Sequence, residues 1–108
     1  MAAKARVKLP ETARAGEIVT VRTLIRHRME SGHRRDASGE LVARDIVNRF
    51  EATFEGETVF SVDLGTGIAA NPYLEFTARI DAPGTFRFTW TDDAGGRVEL
   101  EREIALRD

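Results

Sequence analysis

The chain has no cysteine in its 108 residues. Disulfides, thiolate metal sites, a type-1 copper centre and a catalytic thiol are therefore excluded. The redox compartment stays open, because a cysteine-free chain is stable in either. Aromatic residues of the polar kind are scarce, with one Trp and one Tyr, too few for the exposed platform of a carbohydrate-binding or adhesive sandwich. An excess of one charge sign is also missing. Sixteen Lys and Arg against 18 Asp and Glu leave a net charge of -2, and no basic strip alternates with aromatics as in a nucleic-acid binder. No apolar run approaches membrane-spanning length. Met1-Ala2-Ala3-Lys4-Ala5-Arg6 lacks the hydrophobic segment of a signal peptide, which taken alone favours the cytoplasm.

What is present is an ordinary apolar fraction of 42%, enough for one modest core and one domain spanning residues 1–108. The heaviest apolar load lies in the last hairpin, 84–106. Phe86, Phe88 and Trp90 alternate there with Arg87, Thr89 and Thr91, a period of two that predicts a strand with one buried face. Asp92-Asp93-Ala94-Gly95-Gly96 supplies turn chemistry, and Arg97-Val98-Glu99-Leu100-Glu101 alternates on the way back.

Upstream the same period recurs. Ala5, Val7 and Leu9 alternate with cations until Pro10, and 18–27 reads as a β-branched strand. Ile18 and Leu24 break its alternation, which predicts partial cover on both faces. Residues 28–44 are polar and carry Ser31-Gly32 and Ser38-Gly39 turn signals, a connection long enough to be functional or disordered. Leu41, Val42, Ile46 and Phe50 fit a short helix, but the nine-residue alternation from Ile46 to Phe54 fits a strand better. Glu55-Gly56-Glu57 turns into Phe60, Val62 and Leu64, and 74–80 alternates again. The expected fold is all-β: an immunoglobulin-like β-sandwich of about seven antiparallel strands, without the cysteine pair and mid-chain tryptophan of antibody domains. Arg102 shares the parity of Val98, Leu100, Ile104 and Leu106, so a bulge, an exposed strand end or a surface covered by a partner is expected there.

Chemistry-bearing groups are few. His27, Met29 and His33 are the cluster with metal-ligand types, and imidazole with thioether suits copper. The plainer account has His27 extending the parity of Ile25 and Met29 plugging the sandwich end. Without a third well-spaced ligand, no tight copper or zinc site and no cofactor are expected. Arg34-Arg35-Asp36 reads as a solvated loop or a holder for a partner carboxylate. Glu99, Glu101 and Glu103 do not resemble a catalytic carboxylate pair. Gly65-Thr66-Gly67 is not a phosphate loop, and Ser31, Ser38 and Ser61 lack the setting of a nucleophile. No self-sufficient active site is expected.

The two unusual loops carry a resemblance. His27-Arg28-Met29-Glu30-Ser31-Gly32, then Arg34-Arg35-Asp36, Gly39 and Leu41-Val42, resembles the signature of the SoxZ family. Asn71-Pro72-Tyr73-Leu74-Glu75-Phe76 and Thr89-Trp90-Thr91-Asp92 are similar to later parts of the same family. The likeness runs from the Lys8-Leu9-Pro10 strand to the last hairpin. Ala43 departs from it, standing where proline is common. The resemblance implies a non-catalytic sandwich subunit that forms a heterodimer with SoxY and, through it, meets other Sox enzymes. SoxY holds sulfur intermediates on a C-terminal cysteine during periplasmic thiosulfate oxidation. It also implies a periplasmic location reached by export together with SoxY, which bears the signal, and no nucleic-acid or membrane partner. His27, Met29, Arg34, Arg35, Asp36, Asn71, Pro72 and Tyr73 are the candidate partner contacts, since exposed loops with unusual residue types usually exist for contact. The alternative is a small periplasmic copper-binding sandwich using His27, Met29 and His33, which would need a signal peptide of its own.

Overall fold

The computed structural model describes residues 4–27, 30–65 and 72–108. Eight strands lie in these segments: β1 (Lys4–Lys8), β2 (Thr12–Ala13), β3 (Glu17–Arg26), β4 (Val47–Phe54), β5 (Glu57–Asp63), β6 (Tyr73–Ile80), β7 (Gly84–Asp92) and β8 (Arg97–Leu106). They form a three-stranded sheet in the order β1-β3-β6 and a five-stranded sheet in the order β2-β8-β7-β4-β5. Among the described residues there is no helix long and apolar enough to cross a membrane.

The expected sandwich is present, with two refinements. The extra strand is β2, two residues long, and it pairs parallel to β8 while the other pairings are antiparallel. Pro10 has no N–H to continue the first ladder, so the chain leaves the smaller sheet after β1. It joins the larger one three residues on, where Glu11 and Ala13 carbonyls accept the N–H groups of Ala105 and Arg107 at 3.0 and 2.9 Å. The segment considered for a helix is extended, and β4 begins at Val47. Between β4 and β5, Glu55 (φ 50°) and Gly56 (φ 81°) make the tight turn, two positive φ values in succession as a two-residue hairpin requires.

The period-two alternation puts one face of every long strand inside. Val19, Val21 and Ile25 of β3 and Phe76 and Ile80 of β6 face Phe50 and Ala52 of β4 and Phe86, Phe88 and Trp90 of β7. The rings form a continuous group. Phe50 lies 5.0 Å from Trp90 and 6.0 Å from Phe60 between centroids, and Phe60 stacks on Phe76 at 4.9 Å. Ile18, which broke the alternation, is 67% exposed, while Leu24 is half-buried. Arg102 sits opposite Phe86 in an unshifted ladder, so no bulge explains it. It is exposed, although Leu100 and Ile104, on either side of it on the same face, pack in the core.

Trp90 is 1% exposed and its indole N–H has no hydrogen-bond acceptor among the described residues. Its contribution is therefore packing alone, and Trp90→Ala is expected to destabilise the fold by about 3–5 kcal/mol. Trp90→Phe, which removes the orphan donor along with some volume, is expected to lose clearly less. Denaturant unfolding of both variants checks the order. A Trp90→Ala loss no larger than that of a surface substitution would contradict the burial of this face.

Candidate functional site

The long connection between β3 and β4 is ordered by its own side chains. Glu30 and Asp45 form a backbone bridge, N–H to carbonyl at 2.7 and 2.8 Å in the two directions, and Arg35 and Leu41 bridge further out. Arg34 donates Nε and Nη2 to the two oxygens of Glu30 at 3.0 and 2.7 Å. Arg35 donates to the Gly39 carbonyl at 2.8 Å. Asp36 Oδ1 accepts from Ser38 N–H, Ser38 Oγ and Glu40 N–H at 2.9, 2.7 and 3.1 Å. The Ser38 hydroxyl bond and the backbone bonds from Glu40 and Ser38 hold its carboxyl below the usual range. Arg34, Arg35 and Asp36 are exposed, and they shape the loop that carries them.

The other candidates are distributed differently. Met29 and Asn71 lie outside the described residues. Pro72 is buried, and its carbonyl accepts the Ile25 N–H at 3.3 Å. Tyr73 is 55% exposed, and its hydroxyl donates to Glu75 Oε1 at 2.8 Å, which raises its pKa. His27 has a side chain only 8% exposed, with Nε2 3.0 Å from Asp92 Oδ2. Among the described residues the ligand-type cluster at His27 consists of Asp45 and Asp92, and does not include His33.

Two features escape a reading of the sequence by motif. The first is the anchor of the long loop. Asp93, in the last hairpin, accepts Arg44 Nε and Nη2 at 2.7 and 3.0 Å, Asn48 Nδ2 at 2.8 Å and the Ile46 N–H at 3.3 Å. Its own N–H donates to the Ile46 carbonyl at 3.0 Å. In sequence Asp93 is indistinguishable from a turn residue, and its partners are more than forty positions away.

The second is the outer face of the three-stranded sheet. The register sets Lys4 opposite Arg26 and Lys8 opposite Arg22 across β1 and β3, with Arg6 opposite Leu24. Arg79 lies opposite Ile18, and Tyr73 opposite Leu24, across β3 and β6. Six cations share this face with Glu75, which pairs with Arg22 at 3.3 Å. Ile18 and Tyr73 stand exposed among them. The polar parity of each strand carried this signal, but only the pairing reveals that like charges face each other. Such pairs destabilise a sheet.

The anchor yields an acid-sensitive prediction. The hydrogen bonds from Arg44 and Asn48 hold the Asp93 carboxyl below its ordinary value. A depressed folded pKa contributes stability above the unfolded value, about 3.9 for Asp, and that contribution is lost as pH falls through the folded one. Asp93→Ala is expected to cost about 1.5–3 kcal/mol at neutral pH, as for hydrogen bonds to a charged group. Part of the acid sensitivity below roughly pH 4 should vanish with it. Urea unfolding from neutral to acidic pH checks both, and parallel pH profiles for variant and wild type would contradict the second.

No curated protein matches the sequence significantly. Among solved structures, the sulfur carrier protein SoxY from Chlorobium limicola f thiosulfatophilum aligns with TM-score 0.68 at 15% identity, covering 96% of this chain and 79% of that one. A superoxide reductase (neelaredoxin) from Ignicoccus hospitalis aligns with TM-score 0.69 at 19% identity, covering 95% and 80%. The CARDB domain of a Pyrococcus furiosus protein aligns with TM-score 0.56 at 9% identity, covering 97% and 95%. At such identities these likenesses establish the sandwich fold alone. The family profile described as "Sulphur oxidation protein SoxZ" matches residues 7–103, which is nearly the whole chain, so this protein belongs to the SoxZ family of sulfur-oxidation proteins.

Proposed function

We propose that the chain is the non-catalytic subunit of a periplasmic sulfur-carrier heterodimer. Its partner is a SoxY-like chain that holds the sulfur intermediate on a C-terminal cysteine, and the pair is exported together. Family membership over residues 7–103 supports this reading most directly. The absence of cysteine agrees with it: covalent sulfur carriage needs a thiolate nucleophile, so this chain contributes by contact. Its role is to bury a face against the partner, steady it, and present a surface to the enzymes that the cysteine arm visits.

The basic outer face of the three-stranded sheet is the surface best suited to that contact. Its like-charged cross-strand pairs work against the isolated fold, and an acidic partner surface would relieve them. Ile18 and Tyr73, near opposite ends of this face, add exposed apolar area to it. The long loop with Arg34, Arg35 and Asp36 is a second contact region in this proposal.

Co-purification with a SoxY-like chain, with melting curves of each variant alone, tests the proposal. The double variant Lys4→Glu, Lys8→Glu is expected to weaken association by roughly tenfold or more, chiefly through a slower, less salt-dependent on-rate. Its melting temperature should be no lower than that of the wild type, because each new glutamate faces an arginine, Arg26 or Arg22, across the ladder. Failure of the wild-type chain to bind any SoxY-like protein at micromolar concentration sinks the carrier reading. Unchanged association of the double variant sinks only the choice of face.

A further inference from the structure

The long loop returns to the sandwich beside side chains that the carrier role does not use. His27 follows β3, Asp45 closes the loop ahead of β4, and Asp92 ends β7. Each offers a ligand-type atom, and these atoms all lie within 4.8 Å of one another. The imidazole is nearly buried, its Nε2 already 3.0 Å from Asp92 Oδ2. Asp92 Oδ1 is occupied by the Gly96 N–H at 2.6 Å, which fixes that carboxylate. Asp45 Oδ1 is different: it is buried and meets no hydrogen-bond donor among the described residues. A buried carboxylate oxygen without a donor loses its hydration and gains nothing in return. A second carboxylate close by deepens the penalty. A cation held among the three groups would relieve both.

The donor set indicates which cation. One imidazole nitrogen with two carboxylate oxygens suits zinc and its first-row neighbours, whereas calcium and magnesium take oxygen ligands. Zinc donors sit about 2.0–2.2 Å from the ion, so tetrahedral neighbours lie ~3.3–3.6 Å apart. The His27–Asp92 separation of 3.0 Å is close to that, and Asp45 closes the set by a side-chain adjustment. We propose that His27, Asp45 and Asp92 bind a first-row divalent metal ion, which takes the place of the proton between His27 and Asp92 and leaves one position for water. The bound ion clamps the end of β3, the returning loop and the end of β7 together. The second and third ligands beside His27 are two aspartates from other parts of the chain. The site is independent of the carrier role and stands or falls separately from it.

The test uses the full chain, stripped with a chelator, titrated with zinc chloride by calorimetry and melted with and without zinc. One ion per chain is expected to bind at micromolar affinity or tighter and to raise the melting temperature. Asp45→Asn is expected to weaken binding by roughly tenfold or more and to abolish the rise. Without zinc it should melt no lower than the wild type, because the amide removes a buried charge whose Oδ1 has no donor. Asp92→Asn, which keeps an acceptor for Gly96, is the second variant and should also weaken binding. His33→Gln should change neither reading. Absence of saturable binding to the folded wild type overturns the proposal. So does wild-type affinity in both aspartate variants, or loss of binding on His33→Gln.

Discussion

The contact on which the structure depends is the group of rings between the two sheets. Phe50 is its centre, within 6.4 Å of Phe60, Phe76, Phe88 and Trp90 between centroids. Among the described residues Phe76 is its only member from the three-stranded sheet, so it joins the aromatic load of β4, β5 and β7 to the smaller layer. Strands alternate with period two, and a slip of one residue would turn every inner ring outward. Burial of the rings therefore sets the register of both sheets. Through the register it also decides which charges stand on the outer surfaces.

Those two outer surfaces have opposite characters. On the five-stranded sheet, charges are neutralised in place: Arg87 pairs with Glu101 at 2.7 Å, Arg97 with Glu99 at 2.9 Å and Arg49 with Asp63 at 2.9 Å. Exposed pairs of this kind add little stability, and with Glu51 and Glu103 on the same face the acids there outnumber the cations. On the three-stranded sheet, cations face cations across β1 and β3. A net charge of -2 thus conceals a strongly basic face. A basic face of this kind would steer an acidic surface and set its orientation more than supply affinity.

The long loop shows how a polar segment is kept in one shape without a core of its own. Its inner turn is held by Asp36, its stem by the Glu30–Asp45 bridge and the Arg34–Glu30 pair, and its return by Asp93. Each bond to a charged group offsets part of the entropy of ordering the backbone. The last hairpin consequently has two roles. Its strands carry the core rings, and its turn, through Asp92 and Asp93, receives the end of β3 and the end of the loop.

The strands and their inner faces were legible in the sequence because each depends on local alternation: Phe86, Phe88 and Trp90 point inward wherever β7 pairs. The tight turn at Glu55-Gly56, the break at Pro10 and the absence of thiol chemistry were legible for the same local reason. The SoxZ family likeness, too, lay in the loops as written. What tertiary structure decided is everything that joins distant positions. The parallel β2–β8 pairing arises because the chain changes sheets after Pro10. The like-charge pairs Lys4–Arg26 and Lys8–Arg22 exist only through the β1–β3 register. Asp93 looks like any turn aspartate until Arg44 and Asn48 reach it, and His27 looks like the end of a strand until Asp45 and Asp92 surround it. A side chain's chemistry is written in the sequence, but its partners are chosen by burial of the rings, which no single stretch of the chain specifies.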